Sequence, residues 1–268
     1  MFTESITDIR IAFKIYLEYK KEYILTFITF LIGIFLLVFT GMFIFRFVIL
    51  DNYFQFEEVI RVLLTLIILL ILCLMFFLLL SYTRTIFGLS NDIITSGDLF
   101  TEFRRSITYF KKYWLYFALL TAPYGLFIFI EQLFSSFSLL EMIRSQEGNR
   151  IFFLGLKIIV YSFDLMLYIA LIEIFPSLIE VKKLRQSIHE NFSILRQNFK
   201  RVCISVTFYY LIFRGLMFIV DITRILIVNS EEAFLLFNFI FLISSVFNVL
   251  IGLPILSLIA TRIYNTTI

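Results

Sequence analysis

Two charged side chains, Asp164 and Arg214, lie inside long apolar stretches, where an ionised group is expensive. A charge near the centre of a bilayer costs at least about 2.5–3.5 kcal/mol, so each of these residues needs a partner. Asp164 lies about 24 Å of helix before Glu180, and Arg214 lies about 20 Å of helix after Arg201. The two stretches follow one another in the sequence and are joined at the end where Glu180 and Arg201 lie. Asp164 and Arg214 therefore lie at depths in the membrane that agree within one helical turn. We predict that Asp164 and Arg214 form an ion pair inside the membrane.

Polar side chains at helical spacing extend this predicted pair into a network. Residues three and four apart share a helix face, and three apolar stretches of the sequence carry a polar face of this kind. Polar groups in hydrocarbon must find partners, so we expect these faces to meet inside a helical bundle. The network is either a path for a substrate or an ion, or an internal set of contacts that fixes helix packing. Its candidate members are Tyr161, Asp164, Tyr168, Thr207, Tyr210, Arg214, Asn238, Ser245 and Asn248, with Asp221 and Gly252 on the same faces.

Side chains that could hold a metal or attack a substrate are scarce. The one histidine, His189, stands beside Glu190 and is expected to be a solvated residue at the membrane surface. Cys73 and Cys203 lie in apolar surroundings, so neither a disulfide framework nor a Cys–His dyad is indicated. The sequence also lacks a glycine-rich phosphate loop. We therefore expect no metal, no cofactor and no enzymatic activity.

The composition identifies a membrane protein. Of the 268 residues, 61% are hydrophobic and 16% are charged, and the mean hydropathy is +0.97. Soluble domains average about 45–50% apolar and about 25% charged residues, so too few polar side chains remain here to cover a surface in water. The abundant Phe and Tyr do not indicate nucleic-acid binding, because no basic groove lies outside the membrane.

Six apolar stretches predict six membrane-spanning helices, since a crossing takes about 20 residues at a rise of about 1.5 Å per residue. The sixth is long enough to tilt, and Pro254 is expected to kink or end it. No stretch is left for a soluble domain, so residues 1–268 form a single polytopic domain. The six are Ile24–Phe45, Val62–Thr83, Tyr113–Ile130, Ile151–Pro176, Val202–Arg224 and Ala233–Thr261.

Lysine and arginine are concentrated on one side of the predicted membrane. Most of the 23 fall before the first span, between the second and third, and between the fourth and fifth. The positive-inside rule therefore places these segments and both termini in the cytoplasm, in a plasma or inner membrane. We expect several of these side chains to face anionic lipid headgroups. They are Lys20, Lys21, Lys111, Lys112, Arg196, Lys200 and Arg201.

The three basic segments share one pattern. When Asp8, Asp98 and Lys183 are aligned, apolar residues fall into common columns at spacings typical of an amphipathic helix. These columns predict three repeats (1–90, 91–180 and 181–268), each an interfacial amphipathic helix followed by a transmembrane hairpin. The expected fold is an all-α six-helix transmembrane bundle with pseudo-threefold symmetry. The columns are Ile9/Leu99/Leu184, Phe13/Phe103/Ile188, Leu17/Ile107/Phe192 and Ile24/Trp114/Phe199, with the basic column Lys21/Lys111/Arg196.

The segment GDLFTEFRRSITYFKKYW, Gly97–Trp114, carries a family resemblance at the entry to the third span. The organisation of the chain resembles a group of uncharacterised prokaryotic six-helix membrane proteins. It is also similar to the membrane domain attached to some glycerophosphodiester phosphodiesterases. The resemblance covers most of the chain and implies the fold but no activity. The acidic and histidine metal ligands of the phosphodiesterase catalytic domain have no counterpart in this sequence.

Three classes of function fit these features. We expect a non-enzymatic scaffold or accessory protein whose basic interfacial helices bind anionic lipid or a membrane or cytoplasmic protein partner. The alternative is an ABC-type permease subunit that needs a separate ATPase and has a polar path between helices four to six. A membrane enzyme acting on lipids is disfavoured, because no catalytic constellation is present. Three equivalent interfacial helices favour the scaffold over a permease, which would have one specialised coupling loop.

Overall fold

The computed structural model describes residues 2–44, 58–95, 148–179, 184–227 and 231–267, and these ranges are helical with no strand. Within them, four helical segments are long and apolar enough to cross a membrane. The expected all-helical fold is therefore confirmed, and the length and composition of these four segments fit the expected membrane protein. The predicted third span, Tyr113–Ile130, lies outside the described residues. The four segments are Lys20–Gly41, Lys157–Ser177, Arg185–Val220 and Phe239–Thr267.

Nine α-helices occur in the described chain. They are α1 Phe2–Glu18, α2 Lys20–Ile44, α3 Glu58–Thr95, α4 Gly148–Leu171, α5 Ile174–Ile179, α6 Leu184–Tyr209, α7 Gly215–Ile227, α8 Glu231–Phe247 and α9 Leu253–Thr267. Two π-helical turns, Tyr210–Arg214 and Asn248–Gly252, join α6 to α7 and α8 to α9. The predicted second span, Val62–Thr83, lies within α3, which runs on to Thr95.

Helix α9 lies at the centre of the packed core. Every residue from Pro254 to Thr261 is buried, and so are Ile263 and Tyr264. A helix that is apolar all round needs neighbours on every side, and α1, α3, α5 and α6 all contact α9. The core thus gathers at the end of the bundle that holds α1, α5 and α9.

A π turn accommodates Pro254 without ending the helix. The backbone N–H of Leu253 donates to the carbonyl of Asn248, five residues back. Pro254 has no N–H to continue this register, which leaves the carbonyl of Val249 without a helical partner. The Tyr82 hydroxyl donates to that oxygen at 3.0 Å. The sequence predicts a kink or an end at Pro254. The structure instead has a π turn just before it and a helix that continues to Thr267.

Two elbows join predicted interfacial helices to predicted spans. The first is at Tyr19, between α1 and α2, and the second is at Asn198 in α6, where φ is −121° and ψ is 24°. Buried residues flank the two elbows at identical spacing. When the two elbows are superposed in sequence, Asp8 corresponds to Ser187, whereas the sequence alignment pairs it with Lys183. The two alignments differ by four residues, about one helical turn, so the same residues still lie on the same face of the helix. The buried residues are Asp8, Ala12, Tyr23 and Phe27 at the first elbow, and Ser187, Asn191, Val202 and Val206 at the second.

Large apolar side chains are exposed along the helices that lead away from this core. Contiguous apolar surface of this extent is typical of a protein surrounded by lipid. The exposed residues include Leu31, Ile32, Phe35, Leu36 and Phe39 on α2, Leu66, Leu70 and Leu74 on α3, and Leu236, Phe239, Leu242 and Ile243 on α8.

Candidate functional site: two buried polar clusters

The structure brings Asp164 and Arg214 together between α4 and the first π turn. Arg214 Nε lies 3.9 Å from Asp164 Oδ2. The Tyr210 hydroxyl, also directed at the carbonyl of Tyr161 (2.8 Å), donates to the same carboxylate oxygen at 2.9 Å. Arg214 Nη2 donates to the Tyr168 hydroxyl at 3.2 Å, and its guanidinium carbon lies 5.8 Å from the centre of that ring. The predicted pairing is present, and a tyrosine hydroxyl supports each partner. We call Asp164, Tyr168, Tyr210 and Arg214 the Asp164 network.

The other candidate members lie outside this network. Asn248 accepts a hydrogen bond at 2.9 Å from the hydroxyl of Tyr209, the neighbour of Tyr210. Ser245 donates to the carbonyl of Phe241 in its own helix at 2.8 Å. Thr207 is half-buried, and among the described residues no hydrogen bond joins it to the network. The side chains of Asn238 and Asp221 lie outside the described part of the chain.

The two π turns pack against each other beside the Asp164 network. A Cβ atom added to Gly252 would lie 2.6 Å from Asn248 Oδ1 and 3.0 Å from Phe213 Cγ. Only glycine permits so close an approach. π-helical turns inside α-helices occur frequently at functional sites, and here one carries Tyr210 and Arg214 while the other carries Asn248.

A second cluster of charges ties α1 to two other helices. Asp8 is only 2% exposed. Its carboxylate accepts hydrogen bonds from Nε of Arg201 at 2.6 Å and from Nη2 at 2.9 Å, which is a bidentate arrangement. Arg262 of α9 donates from Nε to the same carboxylate at 2.8 Å. We call Asp8, Arg201 and Arg262 the Asp8 triad. It joins α1, α6 and α9 at one point.

Arg201 is therefore not the lipid-facing residue predicted from its place beside Lys200. Its side chain is 12% exposed and is directed at Asp8. Successive helical residues differ by about 100° around the axis, so Arg201 faces the bundle while Lys200 faces outward. Lys20, Lys21 and Arg196 are exposed, as is Lys200. The predicted residues Lys111 and Lys112 lie outside the described residues.

Glu173 is buried in the break between α4 and α5. Residues 172 and 173 are not helical, and Pro176, which has no N–H, follows. The amide of Asn191 donates to the carbonyl of Ala170 at 2.8 Å and so satisfies a backbone group that the break exposes. Glu173 is 0% exposed, and neither carboxylate oxygen has a hydrogen-bond partner among the described residues. The charges of Arg201 and Asp8 act on this carboxyl group.

Sequence reasoning missed the Asp8 triad and Glu173 for one reason. Asp8 and Arg201 stand among other charged residues, and Glu173 lies near the end of a predicted span, where a charge is expected to reach water. One available signal was the acid three residues before Pro176 in an otherwise apolar run. Another was the position of Asp8 on the same face of α1 as apolar residues such as Ala12.

Hydroxyl groups link α2, α3 and α9 near the first elbow. Tyr23 shares a hydrogen bond of 2.8 Å with Ser90, and Ser90 shares one of 2.6 Å with Ser257. The Tyr16 ring lies 5.6 Å from that of Tyr23, and burial raises the pKa of the Tyr16 phenol above its usual range. These neutral hydroxyls give the buried helices polar contacts without adding charge.

Glu190 anchors the second elbow. It accepts hydrogen bonds from Ser177 at 2.8 Å and from Tyr264 at 3.2 Å, and so connects α5, α6 and α9. Its neighbour His189 is exposed, as expected from the sequence. Of these two neighbours, Glu190 therefore faces the core and His189 faces the surface.

No group of three or more His, Cys, Asp or Glu side chains that could hold a metal ion occurs in the described ranges. Comparisons with protein-family models, with curated proteins and with solved structures find no match for the chain.

Proposed function

We propose that the protein is a non-enzymatic scaffold or accessory subunit of the cell membrane whose cytoplasmic elbows bind anionic phospholipid. The observation that carries this proposal is the order of core, apolar and basic faces around α1 and around the first half of α6. The predicted threefold repeat and the cytoplasmic termini are parts of the same proposal.

Three faces follow one another around α1. Asp8 and Ala12 belong to the face that packs on the bundle. Next around the helix are exposed apolar side chains, among them Ile6 and Leu17, the latter 62% exposed. An exposed basic face follows, with Arg10 and Lys14.

The first half of α6 repeats this order in the same rotational sense. Ser187 and Asn191 face the core. Phe192, which is 63% exposed, lies on the adjacent face. Arg185 and Arg196 follow as the exposed basic face. Two helices far apart in sequence thus present the same surface.

An apolar face beside a basic face is typical of helices that lie in the plane of a membrane surface. The apolar side chains enter the boundary of the acyl chains, and the basic side chains meet the headgroups. Each Lys or Arg near an anionic surface contributes about 1 kcal/mol. The elbows therefore fit anionic phospholipid better than a neutral one.

The test is retention of lipid by a variant without these charges. The variant carries Arg10→Gln, Lys14→Gln, Arg196→Gln and Lys200→Gln. The matched control keeps the charges and carries Arg10→Lys, Lys14→Arg, Arg196→Lys and Lys200→Arg. Both are placed in nanodiscs containing phosphatidylglycerol and phosphatidylcholine, and bound lipid is counted by native mass spectrometry. Four charges at about 1 kcal/mol each predict more than a tenfold loss of preference for phosphatidylglycerol in the Gln variant. Equal preference in both variants would contradict the proposal.

A permease subunit is the second candidate function, and the facing π turns favour it. The Asp164 network lies beside them, and ionisable residues inside a membrane often mark the path of a substrate or an ion. A permease of this kind would need a soluble ATPase. Purification in mild detergent from the native membrane distinguishes the two functions. A stoichiometric ATPase whose activity depends on this chain would favour the permease.

A further inference from the structure

Glu173 is completely buried, and its carboxylate oxygens lack a hydrogen-bond partner within the part of the chain that the structure describes. An isolated ionised carboxylate in such surroundings is costly, and in practice the group neutralises itself by taking up a proton. Glu190, which is packed close by, differs because it accepts hydrogen bonds from Ser177 and Tyr264.

The backbone around Glu173 is fixed on both sides, so the side chain cannot reach water without unpacking the core. Before the break, the N–H of Ile172 donates to the carbonyl of Tyr168 at 3.0 Å. After it, the ring of Phe175 stacks on Phe87 with centres 5.1 Å apart. Asn191 holds the freed carbonyl of Ala170. These contacts keep the carboxyl inside.

The Asp8 triad carries two arginines and one carboxylate, and the charges of Arg201 and Asp8 act on Glu173. Arg201 already uses Nε and Nη2 on Asp8. An ionised Glu173 would balance the charge of this cluster, and a protonated Glu173 leaves it with one positive charge. The titratable groups that surrounding elements contribute to this end of the bundle include Glu4, Asp8 and Tyr16 on α1, Tyr23 on α2, Arg84 and Asp92 on α3, Glu190 and Arg201 on α6, and Arg262 and Tyr264 on α9.

We propose that Glu173 is a proton-binding site inside the packed core, where it holds a proton while Arg201 is bound to Asp8. When the core opens far enough to admit water, the O–H bond breaks, the proton passes to a water molecule as hydronium, and the carboxylate becomes a second acceptor that competes with Asp8 for Arg201. No group of acidic or histidine ligands suited to a metal lies there in the described ranges, which favours a proton as the ligand. The inference does not depend on lipid binding by the elbows.

Loss of this proton would weaken the attachment of α1. Arg201 joins α1 to α6 through the Asp8 carboxylate, and the Ser5 hydroxyl donates to the Arg201 carbonyl at 3.4 Å. A carboxylate at Glu173 attracts the same guanidinium. Proton uptake at Glu173 therefore favours the docked position of α1.

The first experiment is infrared spectroscopy of the full chain in detergent at neutral pH. A protonated carboxyl group gives a C=O stretching band that shifts in D2O. An ionised carboxylate does not give this band. We expect this band in the wild type and in the control Glu190→Gln, and its loss in Glu173→Gln. A wild-type spectrum without the band, or a band unchanged by Glu173→Gln, would overturn the proposal. If Glu173→Gln does not fold, Glu173→Asp replaces it, and a displaced band supports the assignment while an unchanged one refutes it.

The second experiment is thermal unfolding as a function of pH. A group that holds its proton more tightly in the folded chain stabilises it at low pH, and this contribution is lost as pH rises through the folded-state titration. The wild type should therefore lose stability with rising pH, and Glu173→Gln, which resembles the protonated side chain, should lose less. A melting temperature that rises with Na⁺ in the wild type but not in Glu173→Gln would show an ionised carboxylate that binds a cation, and would overturn the proposal.

Discussion

Two aspartates illustrate how single residues hold this bundle together. Asp8 binds Arg201 in a bidentate arrangement and binds Arg262 as well, so its carboxylate meets three donors within 3 Å. Asp164 lies 3.9 Å from one arginine and gains its closest hydrogen bond from Tyr210. A buried ion pair contributes little net stability, but removing one member leaves a costly charge behind. Both sites should therefore tolerate loss of the whole pair better than loss of one partner.

The Asp164 network gives the first prediction at this scale. Asp164→Asn and Arg214→Gln should each lower the free energy of unfolding by about 3–5 kcal/mol, because each leaves an unpaired charge. The double variant should recover part of this loss. Folded yield by gel filtration and the melting temperature in detergent measure the effect, with the exposed substitution Glu18→Gln as control. Tolerance of both single variants would show that the ion pair does not contribute as described.

The same residues show what the sequence could predict. Asp164 and Arg214 interrupt long apolar runs, so their depths and their pairing followed from helical rise alone. Asp8 and Glu173 could not be placed in this way, because burial there depends on how α1 and the α4–α5 break pack on α9. That packing is a tertiary property, and no local pattern of charge or spacing encodes it.

At the scale of the elements, π turns and elbows decide where the polar residues lie. The sequence predicts a kink or an end at Pro254, and a pattern of apolar columns for the interfacial helices. The π turn could not be predicted, because its register depends on a distant hydroxyl, that of Tyr82, which takes up the freed carbonyl of Val249. The one-turn difference in elbow register was equally hidden, since a shift of four residues preserves the amphipathic pattern.

Gly252 provides the prediction for the elements. Gly252→Ala should lower the free energy of unfolding by about 1–3 kcal/mol, because the new Cβ would press on Asn248 Oδ1 and on the ring of Phe213. Gly155→Ala in α4 is the matched control, since nothing lies within 4 Å of its added Cβ. It should be neutral or stabilise by up to about 1 kcal/mol, because alanine favours a helix over glycine. Melting temperatures in the same detergent give the comparison. A Gly252→Ala protein as stable as Gly155→Ala would contradict the close packing of the π turns.

At the scale of the molecule, the packed core and the exposed apolar surface lie at different levels of the described chain. The Asp8 triad and the most deeply buried residues gather around α9, whereas α2, α3 and α8 expose large apolar side chains farther along. The positive-inside rule predicts that the end with α1 faces the cytoplasm. The bundle thus combines a tightly packed end, which holds α1, with helices whose exposed apolar side chains suit contact with lipid.

Topology is the prediction at this scale. In a background with Cys73→Ser and Cys203→Ser, Glu18→Cys should react with a membrane-impermeant maleimide only after cells are permeabilised. Ser230→Cys, between two predicted spans on the opposite side, should react in intact cells. Mass tagging on a gel reports both. Labelling of position 18 in intact cells would contradict the proposed orientation and would place α1 on the outer side of the membrane.

The contact between Asp8 and Arg262 spans 254 residues of sequence, and this has a consequence for synthesis. At about 5–20 residues per second, the ribosome needs some tens of seconds to deliver Arg262 after Asp8. Throughout that time α1 lacks the helix on which it packs. A nascent chain interrupted before α9 could still pair Asp8 with Arg201, but it would lack Arg262 and the buried surface of α9, so α1 would be held by one arginine instead of two.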